Sequence, residues 1–348
     1  MAAQQRSRLA RQCRQLACRG GGWGEGPWER APWFRAAIRG DGRWRWLLFD
    51  CDLAFAHPWS GGATDETLAA ALSPSGRSGL GFDAGWSTTL FRGLLKNKDF
   101  ERVFINTSAD LLNSWFKENR AAAMVDEMAA VLAPNMREHL DRWQTAGSTN
   151  EWFNQVRGLR QFATQRPVIL RQHFVRQFKL GGYQTLTVEI SDPAAGRVRV
   201  NRLIIDPSLP GVVGAPYPWR GWYFKGVPVE LEALPAPGWM LVRWEKMGIS
   251  GAAQSEASKF QWDPQENATF KAVFGPKPPS IRNWVRSGSG RLRLELAGVP
   301  ERTVRVEASV DLRHWEPLGE TRFDVMGEAH WEVSIDAATS RFMRLVMP

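Results

Sequence analysis

At Gly181-Gly182 the hydrophobic period of this chain changes from that of helices to that of strands, and that change marks a boundary between a helical stretch and a sheet-forming one. Before it, apolar residues recur at three- and four-residue steps. The series are Phe100, Phe104, Leu111, Leu112 and Trp115; Val125, Met128, Val131 and Leu132; Met136, His139, Leu140 and Trp143; and Phe153, Val156, Leu159 and Phe162. This spacing predicts a helical bundle with its aromatics in the core. Thr149 or Asn150 is the expected cap of the last helix, and Pro167 is expected to break or kink it before Val168 to Phe178. Arg142, Arg157, Arg160 and Arg166 are read as structural partners of Asp110, Glu138 and Asp141. His139 and His173 are read as packed or capping helix residues.

After the glycine pair the residues alternate, as half-buried strands require. Such runs cover 185–190, 196–201, 202–205, 219–233, 239–244 and 268–274. Pro276-Lys277-Pro278-Pro279-Ser280 reads as a stiff linker. Beyond it, 292–298, 304–319 and 340–345 alternate strictly and predict an antiparallel sandwich. The fold class expected is therefore α+β and multidomain, a helical lobe followed by two small antiparallel β domains. The boundaries expected are 1–40, 41–180, 181–275 and 281–348.

Near the amino end an apolar run of strand length, Trp44 to Phe49, stops at Asp50-Cys51-Asp52. Two carboxylates at a strand exit can direct hard oxygen ligands toward Mg²⁺ and phosphate, or can form a solvated acidic turn. Both readings are open on local spacing. Residues 57–86 are rich in Gly, Ser and Pro and read as a long irregular connection, with His57 a loop residue.

The chain carries a net charge of +9, and the excess is local. Residues 1–46 hold ten Arg against Glu25, Glu29 and Asp41. Yet this arm shows neither a recognition motif nor a helical or strand period, so nucleic acid is not an expected partner. Its Arg, Gly, Ala and Trp bias suits a truncated or mistranslated start, and no signal-peptide core follows the charges. No segment approaches the ~20 apolar residues of a membrane-spanning helix. Three cysteines, Cys13, Cys18 and Cys51, form neither a zinc motif nor a disulfide framework. Eighteen Trp beside three Tyr invite a sugar-stacking interpretation, but most fall at core-facing positions. Trp219 and Trp222 are the pair to test first should binding be found.

The ordered set Trp44–Asp52, Thr89–Phe116, Pro134–Trp143 and Trp152–Pro167 resembles the second half of CotH-type (spore coat protein H) proteins, a family of atypical protein kinases. The resemblance implies ATP and Mg²⁺ as cofactors, with Asp50 and Asp52 as the metal- and cofactor-binding residues. It departs from the family upstream. A kinase places a strand Lys and a catalytic Asp with its partner Asn ahead of the metal Asp. Residues 1–40 contain no Asp, Asn or Lys, so no catalytic residue is assigned. The expectation is a truncated, inactive kinase homologue; the alternative is a non-catalytic exported scaffold whose β modules meet a cell-surface, glycan or protein partner. Tyr223–Ala233, Pro237–Trp244 and Ala268–Phe274 resemble the internalin B-repeat, and Val306–Gly319 with Arg341–Leu345 resembles a carboxy-terminal module of secreted verrucomicrobial proteins. Both resemblances imply an extracellular or cell-surface parent.

Overall fold

The computed structural model describes residues 33–35, 44–46, 55, 62–75, 88–247, 254–286, 290–334 and 342–347. The fold is α+β, a helical part followed by β structure in several small sheets. The described residues divide into two compact units. One comprises those of Met1–Thr187, Val200–Leu231 and Gln261–Ala268; the other comprises those of Val188–Arg199, Glu232–Phe260 and Thr269–Pro348.

In the first unit, β1 (Trp33–Arg35) pairs antiparallel with β2 (Trp44–Trp46), Phe34 opposite Arg45. β2 falls in the apolar run that the sequence marks as a strand, whereas β1 corrects the reading of the 1–40 arm, which gave it no strand period. Three-residue strands are too short to show a period of two, so the pairing leaves no pattern to find.

Among the described residues six α-helices follow: α1 (Thr67–Leu72), α2 (Thr89–Leu95), α3 (Lys98–Leu112), α4 (Glu118–Leu132), α5 (Met136–Trp143) and α6 (Thr149–Gln177). The cap of α3 is Asn97, whose side chain accepts from the Phe100 N–H at 3.0 Å, with Asp99 and Glu101 favouring the positive end of the helix. The cap of α6 is Ser148, one residue before the expected pair. Its Oγ accepts from the Glu151 N–H at 3.1 Å, while Glu151 Oε2 accepts from the Gly147 N–H at 2.7 Å. These reciprocal bonds satisfy amide donors that the first turn leaves open.

Pro167 does not break α6, which runs 29 residues through it. Its ring is buried, in a small apolar pocket with Phe55, Leu112, Phe162 and Leu170, and that packing offsets the missing amide bond. The core centres on a cluster of rings: Phe104 meets Phe91 edge-on at 5.0 Å and stacks on Phe174 at 5.6 Å, and Phe174 stacks on Phe224 at 5.5 Å. Other apolar helix positions are not core. Met128, Val131, Leu132, Trp143 and Phe153 are exposed, against the expectation that the helical series pack inward.

The strands are β3 (Tyr183–Ile190), β4 (Gly196–Val200), β5 (Leu203–Ile205), β6 (Trp219–Phe224), β7 (Val229–Pro235), β8 (Trp239–Met247), β9 (Gln254–Ser255), β10 (Lys259–Trp262) and β11 (Ala268–Pro276). Their orders are β10-β7-β4-β5 and β6-β3-β11-β8-β9. Within the second unit, β12 (Ser280–Arg286), β13 (Arg291–Ala297) and β16 (Glu328–Ser334) form one sheet. A second joins β15 (Glu316–Arg322), β14 (Thr303–Ser309) and β17 (Phe342–Val346). Leu294, Leu296, Val304, Val306, Phe323 and Ala329 make their common core. The sequence reading passed over β9, β10 and β16, and also β12. It is an edge strand whose side chains are mostly exposed, so it has no apolar alternation to betray it.

Candidate functional site

The residues singled out as metal and cofactor ligands, Asp50 and Asp52, lie outside the described residues, as does His57. Among the described residues no group of three or more His, Cys, Asp and Glu side chains converges on a metal position. Nor is any described helix long and apolar enough to cross a membrane.

What the structure does bring together is a buried polar cluster in the first unit, built on α3. Asn106, Thr107 and Asp110 lie within about one turn of each other, and Asn113 follows on the next turn. All four are buried in the middle or at the end of a helix whose flanking residues, Phe104, Ile105, Leu111 and Leu112, are core. Each amide has a fixed partner. Asn106 Nδ2 donates to the Pro228 carbonyl at 2.8 Å. Asn113 forms a two-way bridge to the Trp222 main chain, its Oδ1 accepting from the N–H and its Nδ2 donating to the carbonyl, both at 2.9 Å. In effect Asn113 serves β6 as a one-residue strand neighbour.

Asp110 receives two hydrogen bonds on one oxygen. Tyr223 Oη donates to Oδ1 at 2.9 Å, and Asn201 Nδ2 donates to the same atom at 3.2 Å. Asn201 is itself locked: its N–H donates to the Glu230 carbonyl at 2.7 Å and its Oδ1 accepts the Glu230 N–H at 2.9 Å. Its backbone is left-handed, with φ of 47°, a conformation Asn tolerates better than most residues.

Burial pushes the Asp110 carboxyl up to about 7, because a desolvated carboxylate is costly; the bonds from Asn201 and Tyr223 and the nearby Arg202 oppose that rise without cancelling it. The Tyr223 hydroxyl is held well above its ordinary value by burial, then by the Asp110 charge, and therefore remains a donor. A cavity of about 70 Å³ is lined by Asp110 together with Arg102, Asn106, Thr107, Arg202 and Glu230. It holds no nucleophile paired with a base. Its lining sets the Asp110 and Glu230 carboxyls beside the Arg102 and Arg202 side chains.

The sequence reading placed Asp110 in an ion pair with a helix arginine. The structure corrects this. Arg160 instead pairs with Asp126 at 3.0 Å. Arg166 donates to the Ala63 and Asp65 carbonyls at 2.6 and 2.8 Å and to Thr67 Oγ1 at 2.6 Å, pinning the approach to α1. One signal was present: Asn106 to Asp110 is a five-residue stretch with four polar residues between two pairs of large apolar ones. A solvated helix face does not produce that pattern. His173 is buried, as expected, near Glu66 at 3.5 Å, whereas His139 is exposed. Trp219 is buried, and one face of Trp222 is covered by the Arg171 guanidinium at 4.7 Å, so neither offers an open stacking platform on that side.

The model of the CotH kinase protein family matches residues 36–170. The interval includes Asp50 and Asp52, and it also includes Asn106 to Asn113 of the buried cluster. A search of curated proteins finds no match. Among solved structures, the chain is similar to a DUF3823 family protein from Parabacteroides merdae, at 12% identity over 47% of this chain and 89% of that one, with a TM-score of 0.16. A DUF3823 family protein from Bacteroides ovatus is 11% identical over 47% of this chain and 88% of that one, also with a TM-score of 0.16. At such scores the likeness carries no argument.

Proposed function

We propose that residues 36–170 are a CotH-kinase-like region in which Asp50 and Asp52 face a phosphate-bound Mg²⁺, and that the polypeptide of 348 residues transfers no phosphoryl group by itself. The observation that carries the first half is the family match, which includes both acids. Two carboxylates one residue apart are the hard-oxygen donors this ion takes, and Mg²⁺ so held neutralises phosphate oxygens. The second half rests on what precedes them in this polypeptide: Asp41 is the one Asp before Asp50, and there is neither Lys nor Asn. Without a base and a phosphate-neutralising Lys, in-line transfer to a hydroxyl lacks its main electrostatic support. The test is incubation of the purified chain with radiolabelled ATP and Mg²⁺. Label incorporation no greater than in Asp50→Ala is expected, and incorporation abolished by Asp50→Ala overturns the inactivity.

A second reading is a non-catalytic exported scaffold whose β modules meet a cell-surface glycan or protein. Trp284 on β12 and Phe342 on β17, both exposed on carboxy-terminal strands, support it. It expects retention of the chain on insoluble cell-wall glycan, weakened by Trp284→Ala. No retention removes the glycan form.

A further inference from the structure

We propose that the exposed flank of α4 is a dimer interface, on which a second copy of this chain packs its own α4 antiparallel. The helix has two unlike flanks. Ala121 and Ala122 are buried, and Asp126 pairs with Arg160 of α6 along one edge of that buried side. The opposite flank carries Arg120, Met124, Glu127 and Val131, at steps of four, three and four residues, with Met128 beside them. Met124 is 36% exposed, Met128 63% and Val131 75%, where the solvent face of a monomer's helix sets polar residues.

Trp115 extends this stripe just ahead of the helix. Its ring, 41% exposed, lies under the Arg120 guanidinium at 4.6 Å, and Arg120 also donates to the Trp115 carbonyl at 2.9 Å and to Met124 Sδ at 3.0 Å. These contacts hold the guanidinium on the stripe without a carboxylate. Glu127 is exposed two turns further on, and it too has no group of opposite charge against it among the described residues.

The order of groups along the stripe selects the partner. Turning a second copy end for end about Met124 sets Arg120 of each chain opposite Glu127 of the other, Met124 against Met124, and Met128 with Val131 over the other chain's Trp115. A two-fold interface requires this kind of self-match, since the same patch meets its own copy. Both charges gain a partner, and the flexible methionines fill the seam between the helices. A parallel copy fails the same test, because it sets Arg120 on Arg120 and Glu127 on Glu127. The 15 residues of α4 span about 22 Å, so the contact lies at the small end of specific interfaces and a Kd of roughly 1–100 µM is expected.

This surface does not depend on the kinase reading. It is tested by sedimentation velocity of the whole chain from about 1 to 200 µM, where a concentration-dependent passage from monomer to dimer is expected. Met128→Asp, at an exposed position, is expected to hold the chain monomeric over that range. Arg120→Glu and Glu127→Arg each set like charges across the seam and should weaken the dimer ~10-fold or more, whereas the double variant, which exchanges the two charges, should regain most of the wild-type affinity. That rescue separates the antiparallel seam from any other apolar contact. A wild-type chain that stays monomeric throughout leaves the stripe to a different protein and overturns the proposal. A dimer that Met128→Asp leaves intact, or a double variant no tighter than the single ones, overturns it as well.

Discussion

Tyr223 Oη donates to Asp110 Oδ1 at 2.9 Å, joining a helix to a strand 113 positions later in the chain. Both groups are fully buried, so neither can exchange its partner for water. Tyr223→Phe leaves the ring in place and removes the donor. A loss of roughly 1–3 kcal/mol in urea unfolding is expected, the range for a bond whose partner stays buried. The Asp110 pKa should also rise further, since this bond favours the ionised form. An unchanged urea midpoint would show that the bond contributes nothing.

Asp110 and His173 should oppose each other in the pH profile of stability. The folded pKa of Asp110 is raised from 3.8 to about 7, so between those values the native state holds a proton that the unfolded state has lost. Its contribution is fully present below 3.8 and is lost as pH rises through 7. His173 is lowered from 6.5 to about 4, chiefly by burial, with Arg166 and Arg176 adding to the fall and Glu66 and Asp65 resisting it. There the unfolded state holds the extra proton between 4 and 6.5, and stability rises with pH. The two slopes cancel over most of that window. Asp110→Asn should therefore expose a rise in stability from pH 4 to 6.5, and His173→Asn a fall. Chemical denaturation at a series of pH values reads both, and parallel profiles for the two variants would contradict the assignment.

The two-way bridge from Asn113 to the Trp222 main chain makes an isosteric change informative. Asn113→Leu leaves a main-chain N–H and carbonyl without that partner, and roughly 2–5 kcal/mol of destabilisation is expected. Asn113→Asp keeps the acceptor for the N–H but sets a carboxylate oxygen against the Trp222 carbonyl. It should unfold more readily at pH 8 than at pH 4, where protonation restores a donor. Urea midpoints of the three proteins at the two pH values decide the matter.

Many of the strands were legible in the sequence because one face of each is core. Leu186 and Val188, Val198 and Val200, and Val229 and Leu231 are pairs two residues apart, all buried, and the alternation follows. β12 lacked that alternation. Helix existence was legible too, but the side of α4 that faces the core was not: Met128, Val131 and Leu132 have apolar spacing and stand in solvent. The buried cluster was hidden for a different reason. Asp110 takes its partners from Asn201 and Tyr223, 91 and 113 positions downstream, and no local spacing encodes a contact of that range. Only the polar stretch inside an apolar helix hinted that something distant must satisfy it.

Two glycines with the same backbone twist should respond very differently to a methyl group. Gly226 and Gly238 have φ of 73° and 76°, so alanine at either carries the left-handed penalty of roughly 1–2 kcal/mol. Around Gly226 an added Cβ meets nothing within 4 Å, and the cost should end there. At Gly238 the same atom would lie 2.5 Å from Val299 Cα, 2.6 Å from the Gly298 carbonyl oxygen and 2.6 Å from Pro300 Cδ. Two of these are main-chain atoms and the third belongs to a ring, so no side-chain rotation relieves the overlap. The loop carrying Gly238 must move away from the 298–300 segment, and the Lys277 N–H to Gly238 carbonyl bond of 2.8 Å moves with it. Gly238→Ala is therefore expected to lower the urea midpoint of the second unit by at least twice what Gly226→Ala takes from the first, and to speed proteolysis near residue 299. Equal shifts in the two variants would mean that the close approach at Gly238 yields without cost.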